Sequence, residues 1–533
     1  MTAVDAPPEA RPGIGRAAAA ITAWNLVSRL TGFARVVAMG AALGATALGD
    51  TYQAANLVSN VLFELLAGGM LSAVLVPTFV QRIEAGDRAG AARLASRLLA
   101  LALAILAVVM IVGMVSAPPL MRALTVGVDD GTRADRIALG GFLLLFFLPQ
   151  VLLYAVGAVA SALLQAHHRF IAAAVAPVFN NVVVIATMIA FRAVRHGSTA
   201  LDPGRGPALL LAIGTSAGVV AMTAVPLLAL RRAGDRVRPT WPAPAERSEL
   251  KSIARKGAWA AGHLGANQLL VATTIVLAAR VAGGVVAYQI AFTFFLLPHA
   301  VLANPIFTAL FPRLAADASA GRLETFGNDL SRGLRAIAFL LLPAAALLAA
   351  LALPALQVVR VGALDADGAR LVAAVLAAYA AGLVGYSGFF LLTRAAYALD
   401  DVRSPTVVNA AASVAGIAAM VAVSASVDGD ARVVGLGLVH AAVVTVASAV
   451  LLARLRGRLG LALGLGWPLL RSSLCAVVGG GAAWAVSSAL GAPDRGRAAL
   501  ALVAGSVAGI AVYVGAQLAL RAPEPAELRG SSA

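Results

Sequence analysis

Apolar runs long enough to cross a bilayer follow one another along nearly the whole chain, separated by short polar stretches in which arginine, glycine and proline recur. A window of about 20 apolar residues spans the hydrocarbon core. Walking the chain with that window predicts fourteen spans, at 17–44, 52–80, 92–118, 136–165, 169–194, 206–230, 253–281, 284–312, 330–358, 369–398, 404–427, 432–453, 469–491 and 498–520. Each is far longer than the roughly 9–11 residues of a barrel strand. The pattern therefore predicts an all-α polytopic membrane protein.

Charge orients these spans. With the N-terminus inside, 27 of the 41 Lys and Arg residues fall in cytoplasmic segments and 12 in outer ones, while Arg29 and Arg35 remain within span one. This is the asymmetry of the positive-inside rule, and a missed or extra span would have scrambled it. Both termini are then cytoplasmic and the protein sits in the inner (plasma) membrane. The largest basic cluster, Arg231 to Lys256, lies between spans six and seven, and its Arg255 and Lys256 are candidates for gating or headgroup contacts. The net charge of +16 thus reflects topology and contact with anionic lipids. It does not point to nucleic acid, because the basic residues are scattered without interleaved aromatics.

Composition agrees: 60% of residues are hydrophobic and 12% charged, about half the charge of a soluble chain. The 39 Arg against two Lys, and much of the Ala and Gly, reflect coding bias. Small-residue runs such as "GAALG" (Gly40 to Gly44) also let helices approach closely. The single cysteine, Cys475, excludes an internal disulfide and a thiol metal cluster. The first apolar run carries arginines, unlike a signal peptide, so residues 1–16 read as a cytoplasmic tail.

An internal repeat organises the spans. "TYQAANLVSNVLFELLAGGMLSAVLVPTF" from Thr51 echoes "AYQIAFTFFLLPHAVLANPIFTALFPRL" from Ala287, and "PVFNN" (Pro177 to Asn181) echoes "PTVVN" (Pro405 to Asn409), at offsets of 236 and 228. The repeat unit is six spans, an even number, so the halves share one orientation about an axis along the membrane normal. We expect an N-lobe (17–230), a basic linker (231–252), a C-lobe (253–453), two extra spans (454–520) and a C-terminal tail (521–533). Substrate belongs near the midplane between the lobes.

Enzyme chemistry is missing. Neither lysine follows a phosphate-loop glycine pattern, no HExxH occurs, and nothing implies a cofactor or metal. "HHRF" (His167 to Phe170) falls at a cytoplasmic turn, as a basic headgroup contact. Glu64 is the one carboxylate deep in a span. A secondary transporter remains.

Its chemistry concentrates in "NLVSRLTGFARVV" (Asn25 to Val37). A charge at the centre of a span costs about 2.5 to well over 10 kcal/mol, yet Arg29 and Arg35 are both there. Ser28 and Arg35, seven apart, share a helix face, with Arg29 roughly 120° away. Intramembrane charges usually face a bundle interior or a wet cavity, and the planar guanidinium suits phosphate oxygens. Glu64 can pair with one arginine, either neutralising it or carrying a coupling proton. Asp50 sits at the outer mouth, and Asn60 adds a polar group on span two.

At these residues the sequence resembles the MurJ/MviN family of lipid II flippases, within the multidrug/oligosaccharidyl-lipid/polysaccharide exporter superfamily. The carriers are "SRLTGFARVV" (Ser28 to Val37), "LGDTYQAANLVSNVLFELLAGGMLSAVLVPTF", "YQIAFTFFLLPHAVLANPIFTALFPRLA" and "GLVGYSGFFLLTRAAYALDDVRSP". The "FELLAGG" run is similar to that of actinobacterial members. The resemblance implies two six-helix lobes, alternating access and export of an undecaprenyl-pyrophosphate-linked peptidoglycan precursor. It also implies a groove for the lipid tail at spans thirteen and fourteen, and cell-wall synthesis proteins as partners. It assigns substrate contacts to Ser28, Arg29, Arg35 and Asp50. The sequence departs from the family at Phe63 and Glu64, where a further arginine belongs, in the apolar "AFTFFLLP" of span eight, and at Ala272 in place of a sodium-binding Asp. Two other readings stand beside it. One is an exporter of another lipid-linked glycan or of drugs; the other is a non-transporting scaffold for cell-wall synthases.

Overall fold

The computed structural model describes residues 14–64, 75–243, 251, 265, 267–460 and 464–525, and among them every regular element is helical. Span one is Ile14–Leu43, span three Arg88–Val115, span five Ile171–Val194 and span six Arg205–Arg232. Spans nine, eleven, twelve, thirteen and fourteen are Leu323–Ala350, Arg403–Ser426, Asp430–Leu459, Gly466–Leu490 and Arg495–Ala519. Eleven helices are long and apolar enough to cross a membrane, or twelve when the bent pair Ala366–Ala380 and Leu383–Ala398 is taken as span ten. The two remaining predicted spans include undescribed residues. Span two is seen as Ala47–Glu64 and Val76–Glu84, span seven as Asn267–Ala278. The chain is a multi-pass membrane protein.

Scarce acidic residues start several of these helices. Asp87, Asp129, Asp365 and Asp494 each accept a first-turn backbone N–H at spans three, four, ten and fourteen, satisfying a donor the helix cannot. Proline sets two of the internal breaks. Span four runs as Asp130–Phe147 and Gln150–Ala166 around Pro149. At that break Phe147 O accepts from Ser59 Oγ (2.7 Å) and Phe146 O from Ser216 Oγ (3.0 Å). Backbone oxygens inside a membrane need such partners when water is absent. Span eight, Gly284–Pro298, passes through a π-helical turn, His299–Ala303, into Asn304–Ser319. Span ten bends by 47° at Gly382, where a Cβ would lie 2.6 Å from the Ala441 backbone.

Packing repeats with a period of six spans. Span two packs on span four as eight does on ten, four on six as ten on twelve, and five on six as eleven on twelve. Span one lies along span five, and span seven along span eleven, where Thr274 reaches Met420 and Leu270 fills the gap at Gly416. Even the short helices after spans three and nine, Ala117–Leu124 and Ala352–Val359, correspond. Two apolar clusters fill the first half and one large cluster the second. Spans thirteen and fourteen pack on each other and on span nine, around Phe339, Cys475, Ala476 and Tyr513.

The halves meet along a seam between spans one and two and span eight. We call its two ends the Asp50 end and the basic end, the latter carrying the 82–88 loop.

Candidate functional site

Span one presents two working faces. Ser28, Gly32 and Arg35 face span five. Asn181 there donates its Nδ2 to Ser28 O (3.3 Å) and Thr31 Oγ1 (3.0 Å), and a Cβ on Gly32 would lie 3.6 Å from the same nitrogen. The other face carries Arg29, Phe33 and Gly40 toward span eight. Phe33 meets Phe294 edge-on at 4.9 Å, and Gly40 leaves room for Ile290. Arg29, one turn from Phe33 toward the basic end, is exposed. It lies close enough to His299 and Tyr386 of the second half to act on them electrostatically, as Arg394 does on His299. The 120° separation read from the sequence thus sends the two arginines to different surroundings.

Arg35 lines a small polar cavity, with room for about one water, inside the first half, together with Tyr52, Asn56 and Asn60 of span two, Gln150 and Tyr154 of span four, Asn180 of span five and Thr215 of span six. Two separate hydrogen-bonded sets hold its polar side chains. Tyr52 Oη pairs with Thr215 Oγ1 (2.9 Å), Tyr154 donates to Gln150 Oε1 (3.3 Å), and Gln150 Nε2 donates to Ser216 Oγ (2.9 Å). Arg35 Nε and Asn180 Oδ1 are buried with no hydrogen-bond partner among the described residues. Of the candidate residues, Arg35 and Asn60 come together here. Tyr52, Tyr154, Asn180 and Thr215 were missed, although Tyr52 opens one repeat echo and Asn180 belongs to the other.

Asp50 is buried in the seam itself, not lining a cavity at its mouth. Its Oδ2 accepts Gly283 N–H (2.7 Å), and its Oδ1 accepts Val285 N–H (3.0 Å) and Val286 N–H (3.2 Å). The carboxylate of span two therefore caps the start of span eight in the opposite half, where free amide donors and the helix dipole favour an anion. Arg136 Nη1 stands 3.7 Å from Asp50 Oδ2 and donates to Ala279 O (3.2 Å). Arg280 Nε donates to Val126 O (3.3 Å), and Ala363 N to Ala41 O (2.8 Å). Gly283, at φ +78°, would place a Cβ 2.3 Å from Ala45 O. The Asp50 end is closed.

Glu64 does not form the expected ion pair: it is exposed, and among the described residues it bridges to neither Arg29 nor Arg35. Arg255 and Lys256 lie outside the described residues. His167 is committed to Asp235 at 3.0 Å rather than free for a headgroup; burial holds its imidazole below the ordinary histidine range, opposed by Asp235.

The second half uses the same geometry with different chemistry. At the repeat offset Tyr52, Asn56 and Asn60 correspond to Tyr288, Phe292 and Leu296. Phe292 packs with Tyr379 and His440, each at 5.8 Å. Rings fill the place where the first half keeps a polar cavity. Nearer the basic end, His299 Nδ1 pairs with Ser387 Oγ (2.9 Å), and the Arg394 guanidinium lies 5.3 Å over Phe307.

A protein-family model described as lipid II flippase MurJ matches residues 39–493. A probable lipid II flippase MurJ of Rhizobium tropici is 30% identical over 386 residues, 72% of this chain and 70% of that protein. The lipid II flippase MurJ of Burkholderia cenocepacia is 28% identical over 398 residues, 73% and 74% respectively. Among solved structures, an inward closed conformation of lipid II flippase MurJ superposes with a TM-score of 0.76, covering 94% of this chain and 98% of that one at 16% identity. An inward-facing multidrug resistance transporter of the MATE family gives 0.66, covering 83% and 98%, also at 16% identity. These two structures share the fold.

Proposed function

The chain belongs to the lipid II flippase MurJ family, and we propose that it carries lipid II, the undecaprenyl-pyrophosphate-linked disaccharide-peptide, from the inner to the outer leaflet by alternating access. It acts as a transporter, not a catalyst. The bias of Lys and Arg orients the basic end and both termini toward the cytoplasm, and the Asp50 end outward. The two repeats, 17–230 and 253–453, then rock about their seam, with 231–252 as the basic linker between them.

The observation that carries this reading is Arg29. It is exposed on the seam face of span one, below the Phe33–Phe294 contact and within electrostatic reach of His299 and Tyr386 of the other half. A cation between two lobes, with no carboxylate partner among the described residues, suits a pyrophosphate that must be held on one side and released on the other. Ser28, Arg35, Asn60 and Glu64, also on spans one and two, are further candidate contacts. Asp50 closes the external side while the headgroup loads. Spans thirteen and fourteen against span nine offer the polyprenyl chain a groove. Anionic lipids at the basic end, and cell-wall synthesis proteins, are the expected partners. Without ATP the membrane potential can drive the step, at about 2.3 kcal/mol per charge per 100 mV.

The test is complementation. In cells depleted of their own flippase, expression of this chain should restore lipid II accessible to an external probe. If the protein reaches the membrane and external lipid II stays absent, the reading fails. Restoration of a different lipid-linked glycan instead would favour another exporter of the superfamily.

A further inference from the structure

Span twelve carries its charges at its ends, Asp430 and Arg432 at one and a run of arginines from Arg454 at the other. His440 stands between them, ten residues in from Asp430. Spans six and twelve each begin after a glycine with positive φ, Gly204 and Gly429, 225 residues apart. At that offset His440 takes the place of Thr215. In the first half Thr215 is tied to the Tyr52 hydroxyl. In the second, His440 Nε2 and Tyr379 Oη are each buried with no hydrogen-bond partner among the described residues. An ionisable side chain in mid-membrane is a functional site by default, and neither the Arg29 site nor the Asp50 seam uses this one.

Rings enclose the imidazole. Phe292 and Phe295 of span eight stand nearly perpendicular to it, at 5.8 and 6.4 Å, and Tyr379 of span ten lies 5.0 Å away, backed by Tyr288 at 6.0 Å. Those two phenols are the titratable groups that face it. Span eleven, also packed on span twelve, has Arg403 at its far end as its one ionisable residue. No charged side chain among the described residues acts on the ring. The backbone around it is close to a moving part. Gly437, one turn earlier, leaves room for the Tyr379 ring, and Ala441 fills the space beside Gly382, where span ten bends.

A neutral imidazole donates from one ring nitrogen, an imidazolium from both. The closed packing gives Nε2 no acceptor for a second proton among the described residues. Ring faces attract a cation, but they return less than a charge in mid-membrane costs. We propose that His440 is a proton-binding site of the second half. The ring is neutral while the Asp50 end is closed, and it takes a proton from outer water when that end opens and wets the junction of spans eight, ten and twelve. The proton returns to water before the end recloses. Binding and opening are reciprocal, so external acid favours the outward-open state. This inference rests on the alternating-access reading and names the proton as an ion that biases the cycle.

Spin labels at exposed Val126 of the first half and exposed Val361 of the second, in the full-length protein with Cys475 replaced and held in lipid nanodiscs, report the separation of the halves at the Asp50 end by pulsed EPR. An imidazole in water takes its proton near pH 6.5, so the ratio of long to short distances should rise about tenfold from pH 8 to pH 5.5. Asp50 is a carboxylate at the same end, so the decisive comparison is His440→Gln, which should cut that rise at least threefold. His440→Phe fills the same space with another ring and should do the same, which keeps the proposal testable if His440→Gln fails to fold. No rise in the otherwise unsubstituted protein, or a rise that survives both substitutions, overturns the proposal. A pH-driven opening in a protein that fails to restore external lipid II would remove the lipid II reading and leave the proton site standing.

Discussion

Arg29 and Arg35 are six residues apart on one helix, yet one faces the seam and the other a cavity within the first half. Substituting Arg29 should therefore affect transport rather than folding. Arg29→Ala is expected to abolish external lipid II while the purified protein keeps its thermal stability. Arg29→Lys should restore transport only in part, because it loses the bidentate fork. Glu64→Gln should be mild, since the carboxylate is exposed and has no ion-pair partner among the described residues. We expect a stability change within about 0.5 kcal/mol, read by thermal unfolding; a larger loss would mean that Glu64 holds a partner. Asp50→Asn is the severe one. The amide offers a single acceptor to three backbone donors and leaves Arg136 uncompensated, at a cost of about 3–5 kcal/mol to the closed end. The division between the two arginines was legible in the sequence, because helical periodicity alone separates positions 28 and 35 from 29. The company Arg35 keeps was not. Asn180 and Thr215 reach it only through the packing of spans five and six, which no local pattern encodes.

Hydropathy located every described span, and it misplaced those ends where the membrane and the helix part ways. Span nine was expected at 330–358, but its helix begins at Leu323 and ends at Ala350, and the apolar stretch continues into Ala352–Val359. The window measures what lipid would touch, not where the backbone turns. The π-helical turn after Pro298 and the bend at Gly382 were likewise invisible, since both depend on what packs across from them. Two short echoes did expose the six-span period, and the pairing of helices carries it through both halves. At this scale the sharpest probe is Gly283. Its left-handed conformation and its approach to Ala45 O leave no space for a Cβ. Gly283→Ala should push spans two and eight apart and cost more than about 1 kcal/mol, lowering the unfolding temperature and weakening closure at the Asp50 end.

For the molecule as a whole, rocking requires that contacts at the Asp50 end be conditional. The Ala363 N–H to Ala41 O bond, at 2.8 Å, joins span one to the segment before span ten and offers a reporter. In a protein with Cys475 replaced, cysteines at 41 and 363 should crosslink and arrest transport, and reduction should restore it. A disulfide needs Cα atoms within about 7 Å, which an outward-open state denies. Crosslinking that leaves transport unaffected would rule out rocking at this seam and favour a scaffold. The Asp50 contact that closes the same end joins a side chain on one half to main-chain amides on the other. Main-chain donors persist whatever residue stands at 285 or 286, proline excepted, so genetic variation on the span-eight side has almost no means of tuning or repairing this lock. Second-site revertants of an Asp50 substitution should therefore arise at Arg136, or at positions that loosen the opposite end, and selection for them would map the moving parts of the transporter without a second structure.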